Sequence, residues 1–507
     1  MTAPALPVPP PANPGVGAFA WARGSRSRTR TRRNVELVLL LFGMALVAVY
    51  ASAVELGLYG RLKLDFVLPL AGLTTLFIGA HIAIRWLAPY ADPVLLPAVA
   101  LINSIGVMFL RRLDMGAAKV HDDDWNPVGT SQLAWTALAV LGALALLYFV
   151  RDHRALSRYA YTLGLVGIVL VLAPAVLPAK FSEINGAKLW IRIAGFQIQP
   201  GEFAKLTLLV FFAYYLVRKR EVLSLASKRV LGIDFPRGRD LGPVVTVWLM
   251  SLMVLVVEKD LGTSLLYFGM FVVTLYIATE RVSWLIIGLM LFIGGAFVAY
   301  TLGGLIGGPF ANFHERAQIW VDPFSDRIAH GRPVWDGDGF QLVQSLLAFG
   351  AGGLFGAGPG LGLFRGSLPE VQTDFIFAGM GEEIGLFGLT ALLVVYLVIV
   401  ERGMRAAIGV RDSFGKLYAG GLSFTLGLQV FVIVGGVTKL IPLTGQTTPF
   451  LSAGGSSLVA NWLLIALLLR ISDAARRPAT GSASARGGRG PAPAPANLQE
   501  LPTEVVR

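Results

Sequence analysis

An all-α integral membrane protein, a polytopic bundle of about twelve transmembrane helices with one long extracytoplasmic loop, is the fold this sequence predicts. Three observations predict it. Hydrophobic residues make up 55% of the 507 and charged residues only 15%, with a mean hydropathy of +0.66, which is more apolar surface than a soluble core of this size needs. The apolar residues come in runs of roughly twenty, the length that crosses a bilayer as a helix. Lys and Arg cluster at alternate ends of those runs, as membrane topology requires.

The elements follow in order. Residues 1–33, rich in Pro and Ala and then in Arg (Arg23, Arg26, Arg28, Arg30, Arg32, Arg33), cannot bury enough apolar area to fold and read as a disordered, basic cytoplasmic tail. Residues 34–90 hold two spans, near 35–53 and 66–87. The first, followed by Ala51-Ser52-Ala53, also has the look of a signal peptide with a cleavage site, and an uncleaved anchor is the reading preferred. Residues 91–471 hold ten more, near 92–110, 131–150, 158–178, 201–217, 242–257, 261–278, 284–304, 383–401, 415–437 and 452–470. Residues 472–507, rich in Gly, Ala, Pro and Arg, form a second disordered cytoplasmic tail. With the N-terminus inside, the tails and the connectors at 80–92, 151–158, 218–240, 279–283 and 401–416 carry most of the 43 Lys and Arg. The long stretch at about 305–382 holds only Arg316, Arg327, Arg332 and Arg365, and therefore faces outward. The absence of a visible internal repeat counts mildly against a transporter.

Composition also excludes chemistry. With no cysteine there are no disulfides, thiolate metal sites or cysteine nucleophiles, although the redox environment of the loops stays open. The net charge of +12 belongs to the helix ends, so no nucleic-acid partner is implied. His121-Asp-Asp-Asp124 has the look of a metal cluster but lacks partner spacing, and reads as a solvated loop. Glu258-Lys259-Asp260, ahead of Leu-Gly-Thr263, reads mainly as a solvated turn between spans.

The long polar stretch is where chemistry concentrates, because irregular backbone at membrane depth survives only when buried in protein or lining a wet cavity. Its glycine run, Gly350 to Gly362, has no preceding strand and is not a nucleotide loop; it either packs a re-entrant segment tightly or lets backbone approach a substrate. Asp374 has Glu370 four residues before it and Glu382 and Glu383 eight and nine after. Crowded carboxylates raise one another's pKa, and a poised one can accept a proton from a hydroxyl. The alternative is a cap, with Thr373 or Asp374 starting the helix that continues through Phe375. Glu202 and Lys205 stand at i and i+3 at the outer start of a span, able to pair structurally or to act in function. Lys205 or Arg316 can bind a phosphate. Gln344 and Ser345 in the outer stretch, with Glu370 and Glu382, complete the substrate-binding candidates.

Taken together, Phe196 to Lys205, Asp260 to Thr263, Arg316 to Pro323, Gly339 to Gly353, Leu368 to Gly385 and Pro442 to Ser457 occur in the order of one family. The chain resembles the SEDS proteins (RodA, FtsW, SpoVE) over roughly residues 92–470, and the Pro442 to Ser457 ending with the Thr31 to Glu36 segment is most similar to the actinobacterial RodA branch. The resemblance implies a ten-helix core, leaving the first two spans as an extension. It implies that Asp374, in the family's Thr-Asp-Phe motif, is catalytic, and that Glu202 and Lys205 are the essential pair of the Gln-Pro-Ser-Glu motif, although Gly201 replaces the usual serine. Gln372 stands where relatives often have histidine, and Ala453 where they often have tyrosine.

The activity implied is that of an inverting peptidoglycan glycosyltransferase at the outer face of the bacterial plasma membrane, with lipid II as donor and acceptor. A class B penicillin-binding protein is the implied transpeptidase partner, since no serine-lysine nucleophile motif is present. No cofactor is certain; a divalent cation, magnesium or manganese, would suit the leaving diphosphate, and the metal ligands are unknown. The rivals are a lipid II flippase and a non-catalytic scaffold. Elongation and division are not distinguished.

Overall fold

The computed structural model describes residues 14–120, 126–184, 187–193, 196–223, 226–230, 233–236, 241–258, 260–363 and 368–478. The His121–Asp124 cluster, Lys259, Arg365 and most of the expected C-terminal tail lie outside the described residues.

Every apolar run becomes a helix, because hydrocarbon offers no partner for unpaired backbone groups and a helix satisfies its own. The helices are α1 (Pro14–Tyr59), α2 (Val67–Leu87), α3 (Leu95–Val120), α4 (Gly129–Phe149), the short α5 (Ala155–Arg158), α6 (Ala160–Val176), the short α7 (Ala179–Ser182), α8 (Pro200–Leu223), α9 (Gly242–Val257), α10 (Leu261–Thr279), α11 (Ser283–Leu305), α12 (Ala311–Val321), α13 (Phe340–Gly352), α14 (Ile376–Gly409), α15 (Ser413–Val437) and α16 (Gly455–Arg476). Among the described residues ten are long and apolar enough to cross a membrane; the two remaining expected spans, 158–178 and 242–257, are the shorter apolar helices α6 and α9. Small antiparallel hairpins decorate the connections, among them β1 (Ile191–Ile193) with β2 (Phe196–Ile198) and β3 (Ile328–Ala329) with β4 (Arg332–Pro333).

Three expectations need correction. The tail at 1–33 is helical from Pro14, because adding a turn to an existing helix costs far less than nucleating one. The long polar stretch is not irregular throughout: it contains α12 and the apolar α13, which buries Leu342, Val343 and Ala348. The span expected at 383–401 begins earlier, at Ile376, and bends, since α14 is broken at Gly385, where φ is 64°.

That break is filled by the glycine run. Ala357 N donates to Glu382 O at 2.8 Å, Gly358 N to Glu383 O at 3.0 Å, and Leu386 N to Gly353 O at 3.0 Å, so the strap pairs with the backbone that the bend frees. A Cβ at Gly356 would meet Glu383 O at 2.2 Å, which leaves glycine as the residue that fits. The strap then crosses α1, where a Cβ at Gly360 would meet Val54 O at 2.5 Å and one at Gly57 would meet Pro359 O at 2.2 Å. Behind it, Arg112 of α3 pairs with Glu383 at 2.5 Å and donates to Gly362 O at 2.8 Å.

The first two helices are tied to the bundle by buried charge as well as by apolar packing. Glu36 pairs with Arg33 and lies 2.7 Å from Nδ1 of His81 on α2, and all three are buried. Charges at such depth persist only when paired.

Candidate active site

Where α4, α8, α12 and α13 converge, a cavity of ≈ 920 Å³ is lined by Trp135, Trp190, Gln197, Gln199, Glu202, Arg316, Gln341, Glu370, Thr373, Asp374 and the segments 445–447 and 453–455. Four of the residues singled out in the sequence meet here: Glu202, Arg316, Glu370 and Asp374.

Asp374 sits on the turn just ahead of α14. That turn is fixed through backbone atoms: Ser452 Oγ donates to Thr373 O at 2.6 Å and Ala453 N to Gln372 O at 2.8 Å. Because the Gln372–Ala453 contact is made by main chain, the departures from histidine and tyrosine at these positions leave it intact. Neither Thr373 nor Asp374 caps the helix; the residue preceding α14 is Phe375, with no side-chain cap. The Asp374 carboxylate is therefore free of capping duty, and no described residue donates a hydrogen bond to it. Burial raises its pKa to about 7, the Glu370 charge adds to the rise, Arg316 opposes it, and Asp260 adds a little more.

Arg316 comes from α12, with Nη1 donating to Leu443 O at 2.8 Å. Gly445, at φ 70°, faces both groups: a Cβ there would stand 3.7 Å from Arg316 Nη1 and 3.8 Å from Asp374 Oδ2. The guanidinium and the carboxylate thus share one corner of the cavity, a cation and a proton acceptor side by side.

Behind them lies a buried polar layer. Asp260 is not a solvated turn residue; it is 3% exposed and caps α10, accepting from Thr263 N at 3.0 Å, while Gln446 Nε2 donates to Asp260 Oδ2 at 3.1 Å and to Thr263 Oγ1 at 2.8 Å. Lys205 is buried too. Its Nζ donates to Glu202 Oε2 at 2.6 Å, Gln429 Oε1 at 2.9 Å and Asn461 Oδ1 at 3.0 Å, which engages all three donors of an ammonium. It does not line the cavity, so of the two phosphate candidates Arg316 alone stands in the cavity wall, and Lys205 instead holds Glu202 there. Tyr267 OH donates to Gly201 O at 2.9 Å and would lie 3.2 Å from a Cβ there, which crowds any larger residue at position 201.

Three further candidates stand away from the cavity. Ser345 Oγ donates to Val437 O at 2.9 Å and locks α13 to α15. Gln344 does not reach the wall; Gln341, one turn earlier on α13, does. Glu382 accepts from Leu363 N at 2.7 Å and so secures the glycine strap, which contributes no residue to the cavity lining. The glycines therefore serve packing. Sequence reasoning missed Trp135, Trp190, Gln341 and Gln446; the polar run from Thr444 to Thr448 ahead of the last span was the one signal for Gln446.

Helices able to span a bilayer, gathered round a polar cavity with a proton-accepting carboxylate and a guanidinium, define a multi-pass membrane enzyme equipped for acid–base chemistry at one end of its bundle. The chain belongs to the FtsW/RodA/SpoVE family, described as cell cycle proteins, whose profile matches residues 93–477, beginning after α2. It is 50% identical over 404 residues to the peptidoglycan glycosyltransferase RodA of Mycobacterium tuberculosis, covering 80% of this chain and 82% of that one. It is 32% identical to the stage V sporulation protein E of Bacillus subtilis, covering 76% and 98%. Among solved structures, a chain of a peptidoglycan synthase complex matches with a TM-score of 0.57 at 26% identity, covering 76% of this chain and 99% of that one. The crystal structure of RodA from Thermus thermophilus matches with a TM-score of 0.51 at 25% identity, covering 76% and 98%.

Proposed function

We propose that this protein is a peptidoglycan glycosyltransferase that polymerises lipid II into glycan strands at the outer face of the plasma membrane, with Asp374 as the general base. The observation that carries the proposal is the Asp374 carboxylate in the cavity wall, held near neutral pKa and beside Arg316.

Asp374 Oδ takes the proton of an acceptor sugar hydroxyl as that oxygen attacks the anomeric carbon of the donor. The bond from that carbon to the diphosphate oxygen breaks on the opposite face, so the configuration inverts and polyprenyl diphosphate leaves. Arg316 meets the negative charge that develops on the diphosphate. Trp135 and Trp190 offer aromatic faces to sugar rings, and Gln197, Gln341 and Thr447 offer hydrogen bonds to hydroxyl and amide groups. A divalent cation, magnesium or manganese, supplies charge neutralisation when bound. Glu202 and Glu370 would hold it together with the substrate diphosphate, the mode usual for magnesium. Among the described residues the one convergent group of three ligand side chains, Glu315, His330 and Asp338, lies largely exposed outside the cavity.

The same reading puts both termini and the basic connectors in the cytoplasm and the loop carrying Asp374 outside, supported by the scarcity of Lys and Arg in 305–382. It also assigns a class B penicillin-binding protein as partner, supported by the likeness to a peptidoglycan synthase complex.

The test is reconstitution of the full chain with lipid II and the partner, scoring glycan polymer and lipid exchange for wild type and Asp374→Asn. Polymer with wild type, lost in the variant, is expected. Lipid exchange with no polymer from wild type would instead make the protein a flippase.

A further inference from the structure

At the end of the bundle remote from Asp374, a second cavity of ≈ 330 Å³ opens between α8, α10, α14 and α15. These four helices run back toward the active-site end of the bundle: α8 starts beside Glu202, α10 is capped by Asp260, α14 follows Asp374, and the end of α15 is locked to Ser345. A helix of the length of α8 rises about 36 Å, so the two cavities face opposite surfaces of the membrane.

The lining of this second cavity divides in two. One wall is apolar, made of Val217, Ile277, Met404, Ala407, Ile408 and Leu417, and Ile408 is 81% exposed. The rim is polar, with Arg220, Lys416, Glu280 and Ser413. Two cations and one carboxylate leave a net charge of +1 (2 − 1). Among the described residues, none of the Arg220, Lys416 and Glu280 side chains is engaged in an ion pair or hydrogen bond. An apolar wall ending in uncompensated positive charge at a membrane surface matches an amphiphile with an anionic head.

We propose that this cavity binds an anionic phospholipid. The phosphodiester sits between Arg220 and Lys416, a headgroup hydroxyl donates to Glu280, and an acyl chain lies along Met404, Ile408 and Leu417. One phosphodiester charge neutralises the site, whereas a zwitterionic ethanolamine lipid would leave its net charge uncancelled. The proposal stands independently of the glycosyltransferase reading, since no residue of the active-site cavity takes part.

The test is native mass spectrometry of the full chain released from bilayers of equimolar phosphatidylglycerol and phosphatidylethanolamine. Wild type is expected to retain one phosphatidylglycerol at this site, and the Arg220→Ala/Lys416→Ala double variant to retain roughly thirtyfold less, from two cation contacts at the headgroup. Ala407→Trp, which fills the apolar wall and leaves both cations in place, is expected to reduce retention as well and keeps the test valid if the double variant fails to fold. Equal retention of the two lipids, or undiminished phosphatidylglycerol in a folded double variant, would overturn the proposal. Displacement of the lipid by millimolar inorganic phosphate would also overturn it, by making the site one for free phosphate.

Discussion

Asp374 and Glu383 are nine residues apart in one motif, yet the fold treats them in opposite ways. Glu383 is fully buried in α14, paired with Arg112 at 2.5 Å, and its backbone carbonyl receives Gly358. Asp374 stands on the preceding turn with no hydrogen-bond donor, and Arg316, the guanidinium nearest in charge, is already bound to Leu443 O. One carboxylate is spent on joining α3, the glycine strap and the α14 break; the other is left available to a substrate. What separates a structural acid from a reactive one here is the supply of donors together with access, since Glu383 is sealed inside the bundle while Asp374 is half-buried in the cavity wall.

This comparison is broken most severely at Asp374 itself. Asp374→Asn keeps the shape and removes the base, so glycan polymerisation should fall about 10²–10⁴-fold while thermal unfolding stays near wild type. Arg112→Met should do the reverse in kind. It leaves the buried Glu383 unpaired, and a loss of about 3–5 kcal/mol of stability should appear in denaturation of the detergent-solubilised chain. Replacing both Arg112 and Glu383 with apolar residues should recover part of that loss.

A smaller effect sharpens the role of the extra helices. Gly57→Ala puts a methyl against the Pro359 carbonyl, and pushing the strap away should cost about 1–3 kcal/mol, read as a lowered unfolding midpoint. At Lys205, Lys205→Met should destabilise the fold by leaving Glu202 buried without its cation, whereas a phosphate-binding residue would change substrate affinity and leave stability alone. A melting curve measured beside the KM for lipid II separates the two.

Much of the scaffold was legible because apolar length is a strong signal: each of the twelve expected runs is a helix. The two helices of the long loop were hidden, since α12 carries His314, Glu315 and Arg316 and α13 is too short to resemble a span. Asp374, Glu202, Arg316 and Glu370 were legible as charges in an otherwise apolar chain. The engagement of Lys205 was not, because Gln429 and Asn461 lie 224 and 256 residues away and only the packing of α8 against α15 and α16 brings them together. Trp135 and Gln446 escaped for the same reason: a cavity wall is composed by tertiary contact, and local pattern carries no record of it. Glu382 was legible as a carboxylate near Asp374, but the helical direction of α14 turns it toward the strap.

The pH dependence of polymerisation tests the central claim most directly. A base that must be ionised loses activity on protonation, so the rate should climb as pH rises through about 7, the value to which burial and Glu370 bring Asp374. Removing the opposing cation in Arg316→Ala should move that limb to higher pH, and Glu370→Gln should move it lower. A limb in the ordinary carboxylate range, unmoved by either substitution, would contradict the assignment of Asp374 as the proton acceptor.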